Sequence, residues 1–221
     1  MCGRFTLRAA PQELADYFDL TELPDLVPRY NVAPTQLIGA VRDVAGVRQW
    51  SFLRWGLIPR WAKDPKIGNS LLNARSETIA TKPSFRSAFK SRRCLIAADG
   101  FYEWQRQGKA KQPYHFHRHG DRPMAFAGLW ERWETPDGRM LESCTIATTS
   151  AHPVVAPVHD RMPVVIPRDD FARWLNPASS VDELQALLRP YPGDDLEAVA
   201  VSSTVNSAKN EVPGCLEAIA L

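Results

Sequence analysis

A chain of 221 residues with 44% hydrophobic and 24% charged residues can bury roughly 70% of its unfolded surface, so it needs no disulfide or metal to fold. No run of ~20 apolar residues and no basic-then-apolar leader is present, which predicts neither membrane span nor secretory signal, and a cytoplasmic location. Four scattered cysteines (Cys2, Cys94, Cys144, Cys215) lack any C-x-x-C pairing and read as reduced thiols, while a net charge of +2 selects no partner by itself.

Pro11 with the spacing Leu14, Phe18 predicts a short helix near the start. The proline-rich segment LPDLVPRYNVAPTQ predicts irregular chain covering a core. QLIGAVRDV and VRQWSFLRW read as strands joined near Ala45 and Gly46, a hairpin. PSFRSAFK reads as a helix opened by Pro83, with Phe85 and Phe89 on one face. CLIAADGFYEW, PYHFHRH, PMAFAGLWERW and ESCTIATTS are strand-like runs rich in β-branched and aromatic residues, and VHDRMPVVIP is another. Cys94 and Cys144 lie inside such runs and belong to the core.

FARWL and VDELQALL are helical; Ser180 and Glu183 make a capping box ahead of the apolar stripe Leu184, Leu187 and Leu188. LEAVAV predicts a last strand. Strands fill the middle, helices the two ends, with no βαβ alternation. The fold class is therefore α+β, a single domain with a mixed, curved or barrel-like β core and flanking helices.

Charge is uneven. Arg54, Arg60, Lys63, Lys66, Arg75, Lys82, Arg86, Lys90, Arg92 and Arg93 make the middle third basic, and acids gather in the last third. Two explanations stand: solvated helix faces, or a surface that tracks phosphates.

Cys2 carries the sharpest chemistry. If Met1 is removed, Cys2 presents a free α-amine of reference pKa about 7.7–8.0 beside a thiol, so its neutral fraction at pH 7 is hundreds of times that of a lysine near ~10.4. With an aldehyde, such a pair condenses first to an imine and then closes a five-membered thiazolidine. An internal cysteine cannot, because its nitrogen is an amide. In LLNARSETI, Asn73 and Arg75 share a face if the backbone is extended, Asn73 then orienting the amine and Arg75 holding a phosphate; a helix N-cap is the alternative for Asn73.

Glu103, in the aromatic setting ADGFYEW, reads as a carboxyl raised by desolvation for proton transfer, or as an exposed residue of an alternating strand. His159 in VHDRMPVV reads as a proton shuttle, or as a structural histidine. His115, His117 and His119 alternate in YHFHRH, but no carboxylate or cysteine alternates with them, so a solvated strand face is expected and no metal. No Walker loop, G-x-G-x-x-G or G-x-S-x-G occurs, so no nucleotide cofactor and no serine hydrolase chemistry is expected.

Taken together, MCGRF, YNVAP, WGLIPRWA, NARSET, F-x-x-AF with RRCLIAADGFYEW, TTSA with VHDRMPVV, and VNSAKNE resemble the SRAP (SOS response-associated peptidase) family, in its order, from Cys2 to about residue 217. Members of that family shield abasic sites in single-stranded DNA, and the resemblance spans the chain as one domain, 1–221. It implies a mixed β core wrapped by helices and a nucleoid-associated protein with no cofactor, acting on abasic sites at gaps, forks or junctions. It implies Cys2 as the nucleophile of a thiazolidine crosslink, Asn73 as the group positioning the terminal nitrogen, Glu103 as acid/base, and His159 in proton transfer at the sugar. Arg4, Arg75 and Arg161 resemble its phosphate-binding arginines, and Trp61 its aromatic that replaces stacked bases. Two rivals remain: an N-terminal-nucleophile cysteine peptidase or autopeptidase, and a non-covalent single-strand binding module.

Overall fold

A computed structural model describes residues 2–108 and 110–220. Five strands close into a barrel: β3 (Leu37–Val44), β4 (Val47–Trp55), β6 (Arg93–Ala98), β9 (Met124–Glu134) and β10 (Met140–Ser150). Their order is β10-β4-β3-β6-β9, with β9 pairing back onto β10. Only the β10–β4 seam is parallel. On β10, β5 (Asn73–Arg75) adds in parallel and β11 (Arg161–Pro163) antiparallel. A second, antiparallel sheet has the order β12-β8-β7-β1-β2, from β1 (Arg4–Leu7), β2 (Arg29–Val32), β7 (Gly100–Gln107), β8 (Ala110–Arg118) and β12 (Leu196–Ala200). Helices α1 (Pro11–Phe18), α2 (Arg86–Ser91), α3 (Phe171–Leu175) and α4 (Val181–Ala186) flank the barrel. This is the α+β barrel-like core the sequence predicts.

Local chemistry explains several elements. The β3–β4 turn puts Ala45 and Gly46 at φ 55° and 84°, the doubly left-handed geometry of a two-residue hairpin, and the Gly46 N–H donates to Asp43 Oδ1 at 2.8 Å. The Ser180–Glu183 box forms in full. Alternate residues along the barrel strands serve two clusters: Val41, Leu95, Ala97 and Ala127 pack with helix residues Leu14, Phe18 and Trp174. Ala40, Ile96, Phe126 and Ile146 pack with Cys2 and with Phe5, Phe101 and Phe116 of the second sheet.

Four expectations need correction. Within the proline-rich segment, Arg29–Val32 is a strand: Pro24, Pro28 and Pro34 flank it, but its own N–H groups are intact and it pairs with β1. CLIAADGFYEW is two strands in two sheets, broken at Asp99. The helix of PSFRSAFK begins at Arg86, not Pro83, which lies in the preceding turn. In VHDRMPVVIP only Arg161–Pro163 is strand, followed by an isolated bridge of Val165 to Phe126.

Asp99 explains how the sheets are joined. Buried at the corner, it accepts from Thr6 Oγ1 (2.5 Å), Ala9 N (2.9 Å) and Arg8 N. Those bonds fasten the far end of β1. Gly100 follows because a Cβ there would meet His115 Nε2 at 2.1 Å and the Phe116 carbonyl at 2.9 Å. No helix of the described residues is long and apolar enough to cross a membrane.

Candidate functional site

Cys2 lies two residues ahead of the first residue of β1, the strand between β7 and β2, and is fully buried. Phe5 packs into the core while Arg4 and Thr6, on the other face, are tied by polar bonds. Met1, whose removal the sequence reading requires, lies outside the described residues. Burial pushes the Cys2 thiol far above its usual range, and the charge of Glu103 adds to the push. The thiol is therefore protonated at neutral pH, against the partial thiolate of a free cysteine.

Asn73 reaches the chain start directly: its Nδ2 donates to the Cys2 carbonyl at 2.9 Å. It sits on β5, so the helix-cap alternative falls, and the extended backbone gives Asn73 and the exposed Arg75 a common face. Asn73 Oδ1 and, on neighbouring β10, Thr148 Oγ1 are buried polar atoms with no hydrogen-bond partner among the described residues. Such atoms carry a cost that an incoming polar group would relieve.

Glu103 lies on β7. The register Arg4–Tyr102, carried one step, brings it alongside the chain start. It is only 3% exposed, which excludes the exposed-strand reading, and burial raises its carboxyl to about 7. His159 closes a tight excursion of residues 151–160, held by Ala151 N donating to the Asp160 carbonyl (3.0 Å) and by buried Val155. Its Nδ1 accepts from Arg161 N at 3.0 Å, which in the neutral ring leaves the proton on Nε2. Burial lowers its pKa below the usual value, so the ring is neutral near pH 7. Glu103 and His159 line one cleft of about 450 Å³ with Trp104, Arg106, Lys111 and Asn206. An apolar cavity of about 250 Å³ beside Val27, Leu37 and Phe52 involves none of these groups.

The arginines differ in what they have left to give. Arg4 Nη1 donates to Asn31 Oδ1 (2.8 Å) and the Val205 carbonyl (2.9 Å). Asn31 in turn donates to the carbonyls of Ser207 (2.9 Å) and Asn210 (2.8 Å), and Glu211 accepts from Asn31 N (2.8 Å). The YNVAP and VNSAKNE motifs thus form one buried knot. Arg161 is paired through both terminal nitrogens with Glu77 and donates to the Thr148 carbonyl at 2.7 Å. Trp61 is 59% exposed on a loop whose backbone is fixed on either side: Ile58 N donates to Ser143 Oγ (2.8 Å), and Trp133 Nε1 to the Ala62 carbonyl (2.8 Å).

The basic middle third divides. Arg93 is buried, donating to the carbonyls of Trp174, Phe89 and Asn176 (2.6–2.7 Å), and Arg92 pairs with buried Glu131. Both are architectural. The histidine run is not a solvated face throughout: His115 is buried, hydrogen-bonded to Thr6 Oγ1 (3.1 Å) and packed on Tyr102 and His117. Among the described residues no group of three or more His, Cys, Asp or Glu is placed to hold a metal.

Sequence reasoning assigned no role to Thr148, Trp104, Asn206, Arg106 or Lys111. Asn206 fixes Trp104 through a 2.7 Å bond from the indole Nε1. Its motif, VNSAKNE, is visible in the sequence, but its closeness to GFYEW is not.

Comparison with known proteins identifies the family. Residues 1–208 match the model of the SOS response associated peptidase (SRAP) family. The chain is 48% identical over 223 residues to the Bacillus subtilis (strain 168) protein named abasic site processing protein YoaM, covering 99% of this chain and 98% of that one. It is 36% identical over 192 residues to abasic site processing protein HMCES of Xenopus tropicalis, covering 76% of this chain and 57% of the relative. Among solved structures, a Bacteroides thetaiotaomicron protein superposes with TM-score 0.89 at 24% identity, over 99% of this chain and 100% of its own. The chain belongs to the SRAP family.

Proposed function

We propose that this protein processes abasic sites in single-stranded DNA by trapping the open-chain sugar aldehyde on Cys2 as a thiazolidine. The observation that carries the reading is the convergence of Asn73, bonded to the Cys2 carbonyl, with a buried Glu103 raised to about 7 beside the chain start. The names of its relatives point the same way.

Once Met1 is removed, the reaction runs in balanced steps. Glu103, half protonated near neutrality, and the neutral His159 ring exchange protons with the sugar as its ring opens to the C1 aldehyde. The Cys2 amine attacks C1, and the carbinolamine loses one water to give an imine. The thiol sulfur then adds to the same carbon, its proton passing to nitrogen. One C–N and one C–S bond form and one water leaves. Because burial keeps the thiol protonated, ring closure needs a proton acceptor, and the Glu103 carboxylate is the nearby candidate.

Strand binding falls to the basic and aromatic groups. Arg75 is exposed and makes no side-chain bond among the described residues, which suits it to meet a phosphate; Arg161 does so by exchanging its Glu77 partner, and the hydrogen bonds of Arg4 among the described residues run through Nη1. Trp61 offers an exposed ring for stacking, worth about 1–3 kcal/mol per base with little regard to sequence. A peptidase with a thiolate nucleophile is less well supported, since burial acts against the thiolate.

The test is incubation with an abasic-site oligonucleotide. Wild type is expected to give a heat-stable crosslink on a gel, and Cys2→Ala only a labile imine that nicks the strand. A Cys2→Ala adduct as stable as that of wild type would defeat the thiazolidine reading.

A further inference from the structure

The cleft holds two cations that the chemistry at Cys2 does not use. Arg106 and Lys111 face each other directly across the β7–β8 hairpin, and both line the cleft with Glu103 and His159. Like charges placed opposite one another across strands repel, and ordinarily a neighbouring acid relieves them. Here neither makes an ion pair or side-chain hydrogen bond among the described residues, and both are exposed. Arg106 shares a strand face with Trp104, two residues before it, and Trp104 is itself immobilised by Asn206. A double positive charge beside a fixed aromatic plane, open to the cleft, is a seat for an anion.

We infer that Arg106 and Lys111 hold a phosphodiester of the bound strand, on the second-sheet side of the reacting centre. The candidate phosphate ligands Arg75 and Arg161 stand on the barrel side, where β5 and β11 flank β10. Phosphates are thereby engaged on both sides of Glu103, and the lesion is held between two clamps. Arg106 is three residues beyond Glu103, about 10 Å along a strand. The inference rests on the reading that the cleft takes a DNA strand. It adds which side of the site the strand runs along.

The test uses an undamaged single-stranded oligonucleotide and the full chain, with the dissociation constant followed against salt. Each phosphate contact on a single strand contributes about 0.7 to the slope of log affinity against log salt, or about 5-fold in affinity between 1 M and 0.1 M. Arg106→Gln with Lys111→Gln is expected to flatten the slope by about 0.7 for one lost contact and about 1.4 for two. Exchanging the pair, Arg106→Lys with Lys111→Arg, should keep the slope, which excludes a folding defect. Arg86→Gln with Lys90→Gln on α2 removes the same charge from a helix packed on β6 and β9 and should leave the slope intact. An unchanged slope in the hairpin variant, or equal flattening in the α2 variant, overturns the inference. If wild type forms no crosslink on abasic DNA while the hairpin variant still flattens the slope, the proposed function falls and the phosphate seat stands. If wild type crosslinks and the slope does not move, only the seat falls.

Discussion

At the scale of single residues, Glu103 connects stability with chemistry. Its carboxyl is raised by burial to about 7, against about 4.3 in an unfolded chain. Between those values the folded protein binds more protons than the unfolded one, so stability falls as pH rises from about 4.3 to 7 and stays lowered above. Glu103→Gln removes that cost. It should be more stable than wild type at pH 8, by up to about 4 kcal/mol, and alike at pH 4. Crosslinking should slow by at least ~10²-fold and lose the wild-type inflection near pH 7. Thermal melts and single-turnover rates across pH 4–9 check this; a variant less stable than wild type at pH 8 would mean that Glu103 supports the fold.

At the scale of elements, the buried Asn31 pins the segment from Val205 to Glu211 that follows β12. It receives Arg4 and fastens residues 203–212, which carry Asn206 and thereby Trp104 into the cleft. Asn31→Ala removes the donor to the carbonyls of Ser207 and Asn210, and at about 1 kcal/mol for each part-buried hydrogen bond should cost roughly 2 kcal/mol. Hydrogen exchange should show that segment opening ahead of the barrel; unchanged protection there would show that the knot contributes nothing.

The same distances in sequence explain what could be read in advance. The Ser180 cap and the Ala45–Gly46 hairpin were legible because their determinants lie within three residues of each other. Cys2, Asn73, Glu103 and His159 stood out in the sequence by residue type and setting, and the structure brings Asn73 and Glu103 to the chain start. Strands β1 and β2 were not: four residues carry too little periodicity, and their partners include β7, nearly a hundred residues away. Nor could charge alone separate Arg93, which binds helix-end carbonyls, from Arg75 or Lys111, which face solvent.

At the scale of the whole molecule, a closed barrel and a five-stranded sheet meet at the chain start, and each supplies part of the site. The barrel side brings Asn73 and Thr148, with Arg75 on β5, Arg161 on β11 and the excursion that carries His159. The sheet side brings Glu103 with Trp104, Arg106 and Lys111. In the proposed complex a DNA strand across that junction meets cations and aromatic rings, so affinity should depend on salt far more than on sequence.

All of this converges on one atom pair, the nitrogen and sulfur of residue 2. Mass spectrometry of the protein–oligonucleotide adduct, with proteolysis to locate it, tests that pair directly. The account predicts the mass of the chain without Met1 plus the abasic oligonucleotide less one water, with the sugar carbon on the N-terminal peptide at both nitrogen and sulfur of Cys2. An adduct on any other residue, or on a chain that still carries Met1, would contradict it.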